Sequence, residues 1–202
     1  MKPTLTIFSG VNGAGKSSLY KYFNEIGLND FGTRINADEI LRENGGDWKN
    51  DADNLRSGVT AVRRIYKCLE NKESFNWETT VLNGFSLKIL RMAKEKGYNV
   101  NFYFVGVENA KLAIERVTIR QIRGGHGIPE ELIKKRYAAQ YDFFSEAAQY
   151  IDKALFFDNS STFKIVGSYS DKELKYIDEN VIWTKNLTFC FNDKTNEGEI
   201  VK

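Results

Sequence analysis

The sequence predicts an α/β fold, a mainly parallel sheet flanked by helices on both faces. Three observations lead there. Runs of β-branched and aromatic residues alternate with stretches of helical periodicity from Leu5 to Phe157. A glycine-rich run, Gly10-Val11-Asn12-Gly13-Ala14-Gly15-Lys16-Ser17, joins the first strand to the first helix. Only two prolines, Pro3 and Pro129, interrupt the 202 residues, so no part of the chain reads as a linker. That length suits a single domain over residues 1–202, with one core and a small lid.

Leu5 to Ser9 is the first expected strand, and Lys16 to Ile26 the first helix, with Leu19, Tyr22, Phe23 and Ile26 on one stripe. A short strand follows at Gly32 to Asn36. Asp38 comes next and is expected to cap a helix starting near Glu39. Asn50 to Glu70 reads as a long helix with a stripe of Leu55, Val59, Val62, Tyr66 and Leu69. Ser74 to Thr80 is the third strand. Phe85 to Lys96 is a helix closed by Gly97, and Asn99 to Val107 the fourth strand. Asn109 to Arg123 is a helix ended by Gly124-Gly125. Pro129 starts another, expected to run to about Tyr150. Ala154 to Phe157 is the fifth core strand. Beyond residue 160, Phe163 to Val166 and Val181 to Phe191 have strand character and suggest an appended hairpin or edge strands, extending over about residues 161–202.

Composition narrows the function classes. Hydrophobic residues make up 42%, and 29 basic against 27 acidic residues leave a net charge of +2. So balanced a charge gives no reason to expect a nucleic-acid or membrane partner. Cys68 and Cys190 stand far apart and outside any CxxC pair, so buried thiols are expected rather than a zinc site. The N-terminus lacks a signal-peptide pattern and no apolar run approaches membrane-spanning length, so a cytoplasmic protein is expected.

The glycine-rich run satisfies GxxxxGK[ST] at Gly10, Gly15, Lys16 and Ser17. Glycines let backbone N–H groups wrap phosphates, and the following helix adds its positive end. Gly10, Asn12, Gly13, Ala14, Gly15, Lys16, Ser17 and Ser18 are therefore expected to bind a nucleoside triphosphate. Lys16 would reach the terminal phosphates and Ser17 would ligate Mg²⁺. The strand–loop–helix context identifies a P-loop NTPase fold. The guanine-reading Asn-Lys-x-Asp and the switch Asp-x-x-Gly of GTPases are missing, and the longest strand leads into Glu108 rather than ending in the aspartate of a motor ATPase. The carboxylates Asp38 and Glu78 fall instead at strand C-terminal ends, where the crevice of an open α/β sheet lies. That suits phosphoryl transfer to a small molecule, with Asp38 as base for the acceptor hydroxyl and Glu78 with Thr80 as acceptor contacts. The alternative reading of Glu78 is a solvated strand end.

Arg116, Arg120 and Arg123 share one helix face, an arrangement suited to a transferring phosphate. A plain solvated basic face would look the same. The stripe runs into Gly124-Gly125-His126-Gly127-Ile128-Pro129, a segment fit for a hinge, so residues 109–137 read as a lid. Arg136 and Tyr137 could face the same cleft. His126 is the single histidine, and metal ligation by it is not expected. Asp158-Asn159-Ser160 follows the fifth strand, where kinases of this architecture place the nucleotide base, so Asn159 is a nucleotide-binding candidate.

These residues together resemble the zeta toxin family of P-loop kinases in a short, single-domain form. The matching pieces are Gly10 to Ser18, Asn36-Ala37-Asp38-Glu39, Glu78-Thr79-Thr80, Arg116 through Pro129, Arg136-Tyr137 and Asp158-Asn159-Ser160. The resemblance implies ATP as donor, Mg²⁺ as cofactor, and a sugar hydroxyl of a UDP-activated amino sugar, UDP-N-acetylglucosamine, as acceptor. It implies Asp38 as base, Lys16 on phosphate, Glu78 and Thr80 on the acceptor, and two lid arginines on the transferring group. Arg116 or Arg120 is expected for one arginine role and Arg123 for the other. No antitoxin domain is expected ahead of the first strand, so an antitoxin would be a separate protein. Two other readings stay open: a kinase for another acceptor, such as a nucleoside, a cofactor or an antibiotic, and a non-catalytic nucleotide-dependent regulatory module.

Overall fold

The computed structural model describes residues 2–28 and 30–192. Among them, seven strands form one sheet in the order β2-β3-β1-β4-β5-β6-β7. The first five are β1 (Thr4–Ser9), β2 (Thr33–Ile35), β3 (Phe75–Glu78), β4 (Asn99–Gly106) and β5 (Lys153–Asp158), all parallel. Their C-terminal ends therefore share one edge of the sheet. Register then fixes neighbours: Phe8 lies beside Glu78, Ser9 beside Phe104, and Gly106 beside Asp158.

The helices are α1 (Lys16–Glu25), α2 (Ala37–Glu43), α3 (Asp51–Asn71), α4 (Gly84–Glu95), α5 (Ala110–Ile122), α6 (Glu130–Ala138), α7 (Phe144–Ala148) and α8 (Lys185–Asn192). Asparagines open four of them. Asn36, Asn50, Asn83 and Asn109 each accept a backbone N–H of the first turn. Two apolar clusters, one containing Leu5 and Phe102 and the other Phe8 and Phe157, cover the sheet. β1 contributes to both, through Leu5 and Ile7 on one side and Phe8 on the other, as alternation in a doubly covered strand requires.

Four expectations are corrected. The cap of α2 is Asn36, whose Oδ1 accepts from Asp38 N at 2.9 Å; Asp38 sits inside the first turn. The stripe of α3 lies elsewhere, because Leu55 and Val59 are exposed and the buried face is Ser57, Ala61, Ile65, Cys68 and Leu69. The segment after Pro129 is not one helix. It breaks after Ala138, and Phe144 restarts the chain edge-on against Phe102 and Phe104, with ring centroids 5.4 and 5.1 Å away. Core packing of that ring outweighs continuation of the helix.

The fourth correction concerns the C-terminal segment. The hairpin exists, but its strands are β6 (Lys164–Ser170) and β7 (Glu173–Ile177), joined by a turn with positive φ at Asp171 and Lys172. Val181 to Phe191 is not a strand: a 3-10 turn at Ile182–Thr184 runs into α8. Trp183, Leu187 and Phe191 recur every four residues and are all buried, a helical stripe carried by aromatic residues. Residues 193–202 of the expected C-terminal strands lie outside the described residues. Cys68 is buried, Cys190 is half-buried, and both are free thiols.

Candidate active site

The phosphate loop leaves β1 at Gly10, with φ +137°. A Cβ there would stand 2.2 Å from the Val105 carbonyl oxygen, so a glycine is needed where the loop passes β4. Gly15, with φ +108°, caps α1, and a Cβ on it would stand 2.5 Å from Asn159 Nδ2. That amide donates to the Ala14 carbonyl at 2.7 Å, so the loop after β5 holds the phosphate loop from behind. Arg116 in turn donates to the carbonyls of Asn159, at 2.7 Å, and Ser160, at 3.3 Å. Gly10, Ala14 and Asn159 thus shape the cradle, while Asn12, Gly13, Gly15, Lys16, Ser17 and Ser18 line the cavity in front of it.

Lys16 is only 7% exposed, and its Nζ donates to the Val11 carbonyl at 3.2 Å. Burial pushes its pKa down; Glu78 and Asp38 oppose this, and Arg120 and Arg136 add to it. An ammonium held this far from water gains strongly from an anionic partner.

Glu78 is the best-connected acid of the site. Its carboxylate accepts from Ser17 Oγ at 2.9 and 3.1 Å and from Asn36 Nδ2 at 3.0 Å, and it pairs with Arg34 Nη2. Arg34 also donates to Glu39, at 3.0 and 3.2 Å, and to Asn76 Oδ1 at 3.1 Å, with its guanidinium 4.0 Å from the Tyr20 ring centroid. Burial works against the Arg34 cation, but Glu39 and Glu78 more than offset it and its pKa is raised. Sequence reading missed Arg34. Its signal lies in strand register, since Arg34 faces Asn76, two residues before Glu78, and that pairing of β2 with β3 is invisible in one dimension.

Asp38 presents its carboxylate at the mouth, with 43% of the side chain exposed. His126 Nδ1 lies 3.9 Å from Asp38 Oδ1. The lid arginines separate. Arg120 faces the phosphate cavity, and its Nε and Nη2 are buried without a hydrogen-bond partner. Arg123, at the C-cap of α5, is exposed and lines neither cavity described here. Arg136 reaches across from α6 to donate to Asn12 Oδ1 at 2.7 Å. Its neighbour Tyr137 donates to the carbonyls of Val107 and Glu108, at 3.1 and 2.8 Å, tying α6 to the end of β4.

Two cavities meet here. One, of about 380 Å³, lies over the phosphate loop and is lined also by Arg42, Arg120 and Gly125. The other, of about 860 Å³, lies between α3 and the lid, with Trp48, Trp77, Thr80 and Arg136 in its wall. Ser57, Gly58 and Ala61 of α3 leave room for it. Asn12, Lys16, Asn36, Asp38, Glu78 and His126 belong to both linings. The glycine-rich cradle lies on one side, the larger chamber on the other, and Asp38 at the seam.

Known proteins agree with this architecture. Over 137 residues the chain is 26% identical to a Haemophilus influenzae protein described as uncharacterized, covering 68% of this chain and 94% of that one. Among solved structures, it superposes on the AvrRxo1-ORF1:-ORF2 complex with ATP at a TM-score of 0.71, with 14% identity, covering 98% of this chain and 66% of that one. This chain thus spans just under two thirds of that longer relative. The PezAT chromosomal toxin–antitoxin system of Streptococcus pneumoniae gives a TM-score of 0.58 and 14% identity, with 94% of this chain and 84% of that one covered. At such identities the structural likenesses carry the fold alone. The model of the family described as Zeta toxin matches residues 1–186. This α/β P-loop chain therefore belongs to the Zeta toxin family.

Proposed function

We propose that the chain transfers the γ-phosphoryl group of ATP to a hydroxyl of a UDP-activated amino sugar, with UDP-N-acetylglucosamine as the acceptor. The observation that carries the reading is the seam. Lys16, Asp38 and Glu78 line both cavities, so a donor in one and an acceptor in the other would meet at the same carboxylates. In-line transfer needs that meeting and little covalent chemistry from the protein.

Asp38 would orient the acceptor hydroxyl and accept its proton. Lys16 would hold the terminal phosphates. Arg120, whose buried donors are unpartnered, and Arg136 would stabilise charge on the transferring group. Arg116 would act indirectly, by holding the Asn159 loop. The Ser17 hydroxyl donates to Glu78, which leaves its oxygen lone pairs free, and this donor set fits Mg²⁺ completed by phosphate oxygens and water. Mg²⁺, when bound, would neutralise phosphate charge there. Glu78, saturated by Ser17, Arg34 and Asn36, would serve the donor side as much as the acceptor, whereas Thr80 lies in the larger chamber. Residues 109–137 would form the lid. PezAT is a toxin–antitoxin system and the AvrRxo1 structure holds ORF1 with ORF2, and we extend to this chain a separate antitoxin.

The test is incubation with ATP, Mg²⁺ and UDP-N-acetylglucosamine, read by mass spectrometry. A phosphorylated nucleotide sugar is expected. ADP release that no UDP-sugar of a panel stimulates overturns the acceptor, and transfer to a different small molecule replaces it.

A further inference from the structure

The loop from α5 to α6 carries the molecule's one histidine to the point where the two cavities join. Its position is set by its neighbours. A Cβ on Gly125 would stand 2.6 Å from Arg120 Cγ, and one on Gly127 would stand 2.7 Å from both Gln121 Cδ and Trp48 Cη2. Both flanking residues are thus closely packed, Gly125 against the Arg120 backbone as well. Between them the imidazole lies against Trp48, with ring centroids 5.7 Å apart, and 17% of the side chain is exposed. Nδ1 is buried and has no hydrogen-bond partner.

A buried ring nitrogen left unpartnered costs free energy, so its orientation calls for a reason. The acid beside it is Asp38, whose Oδ1 is 3.9 Å away, about 0.7 Å beyond hydrogen-bond reach. Among the described residues no other lid side chain forms an ion pair with the Asp38 carboxylate, and Arg136 acts on it only through its charge. The charged groups around the imidazole are Asp38 and Arg42 on α2, Arg120 on α5 and Arg136 on α6. Burial lowers the pKa of His126, Asp38 raises it, and the three arginines lower it. The ring is therefore neutral near pH 7 and carries a proton on one nitrogen only.

We propose that His126 is a positioning residue for Asp38: a small inward shift of the lid brings Nδ1–H into a hydrogen bond with the carboxylate, which turns the other carboxylate oxygen toward the acceptor hydroxyl. No proton is transferred between the two; the bond orients the carboxylate and couples it to lid position. The inference rests on the reading of Asp38 as base.

Because the chain holds a single histidine, the imidazole NMR signals of the full chain belong to His126 without assignment. Asp38→Asn is expected to lower the titration midpoint of those signals, and ATP with Mg²⁺ to shift the Nδ1 resonance in the wild type but not in Asp38→Asn. Identical titrations in the two proteins overturn the coupling. In turnover, His126→Ala is expected to lower kcat by about tenfold or more with KM for ATP within about twofold, since the loss falls on the transition state. His126→Asn, which keeps an N–H near the Nδ1 position, recovers most of the loss, and His126→Gln does not. Equal loss in all three variants makes His126 a packing residue and overturns the proposal. A titration that responds while Asp38→Asn keeps full turnover removes the base reading instead, so the two failures are distinguishable.

Discussion

The phosphate side and the acceptor side of the site are built in opposite ways. On the phosphate side the cradle's polar groups are engaged, Arg120 apart: Ser17 with Glu78, Glu78 with Arg34 and Asn36, Asn159 with Ala14, and Arg116 with the loop behind. On the acceptor side the wall includes aromatic and small-residue surface, Trp48, Trp77, Ser57, Gly58 and Ala61, and at the seam the His126 Nδ1 is buried without a partner. Triphosphates present one invariant shape, so a rigid cradle of backbone and fixed side chains suits them. An acceptor is recognised by shape and by a few polar contacts in a larger chamber. On the proposed function, the contrast means that donor binding is preorganised, while the acceptor side and the lid complete the site.

The sharpest way to break this contrast is Lys16→Ala. Turnover is expected to fall by about 10³-fold or more, because the cation acts on the transferring group. Thermal unfolding should show Tm unchanged or raised, since the variant removes a buried ammonium whose pKa burial depresses. A folded variant with normal turnover contradicts the cradle assignment. Next in size is the pair Arg120→Ala and Arg123→Ala. The first is expected to cost about 10²-fold in kcat with a much smaller loss of ATP affinity. The second, exposed outside both cavities, should stay within about threefold. The reverse order would mean that the lid turns α5 on closing. A smaller effect than that of Arg120→Ala belongs to the acceptor chamber: Trp48→Ala should raise the acceptor KM about tenfold and leave ATP affinity unchanged by calorimetry. Weakened ATP binding in that variant would dissolve the boundary between the halves.

The same contrast governs what the sequence made legible. The cradle could be read directly, because glycines with forced φ, a lysine and a serine must follow one another in the chain. Asp38 and Glu78 were legible through their places at strand ends. Arg34 was not, since its link to Glu78 depends on the pairing of β2 with β3. The α3 stripe was misplaced for a functional reason. Its first half lines a cavity with Ser57, Gly58 and Ala61, so hydrophobicity there points away from the face that matters. Trp183, Leu187 and Phe191 read as strand by residue type, while their spacing of four was the better guide. The break between α6 and α7 has no local signal; the Phe144 packing that causes it is tertiary.

Asp38 at the seam is the centre of the account, and the most direct test is Asp38→Asn beside the wild type, measuring ATP affinity and acceptor-dependent turnover together. ATP affinity is expected to stay within about twofold, because the cradle does not depend on this carboxylate, and turnover to fall by about 10²- to 10⁴-fold with loss of the base. Turnover equal to the wild type at unchanged ATP affinity would contradict the role of Asp38 and, with it, the two-sided mechanism.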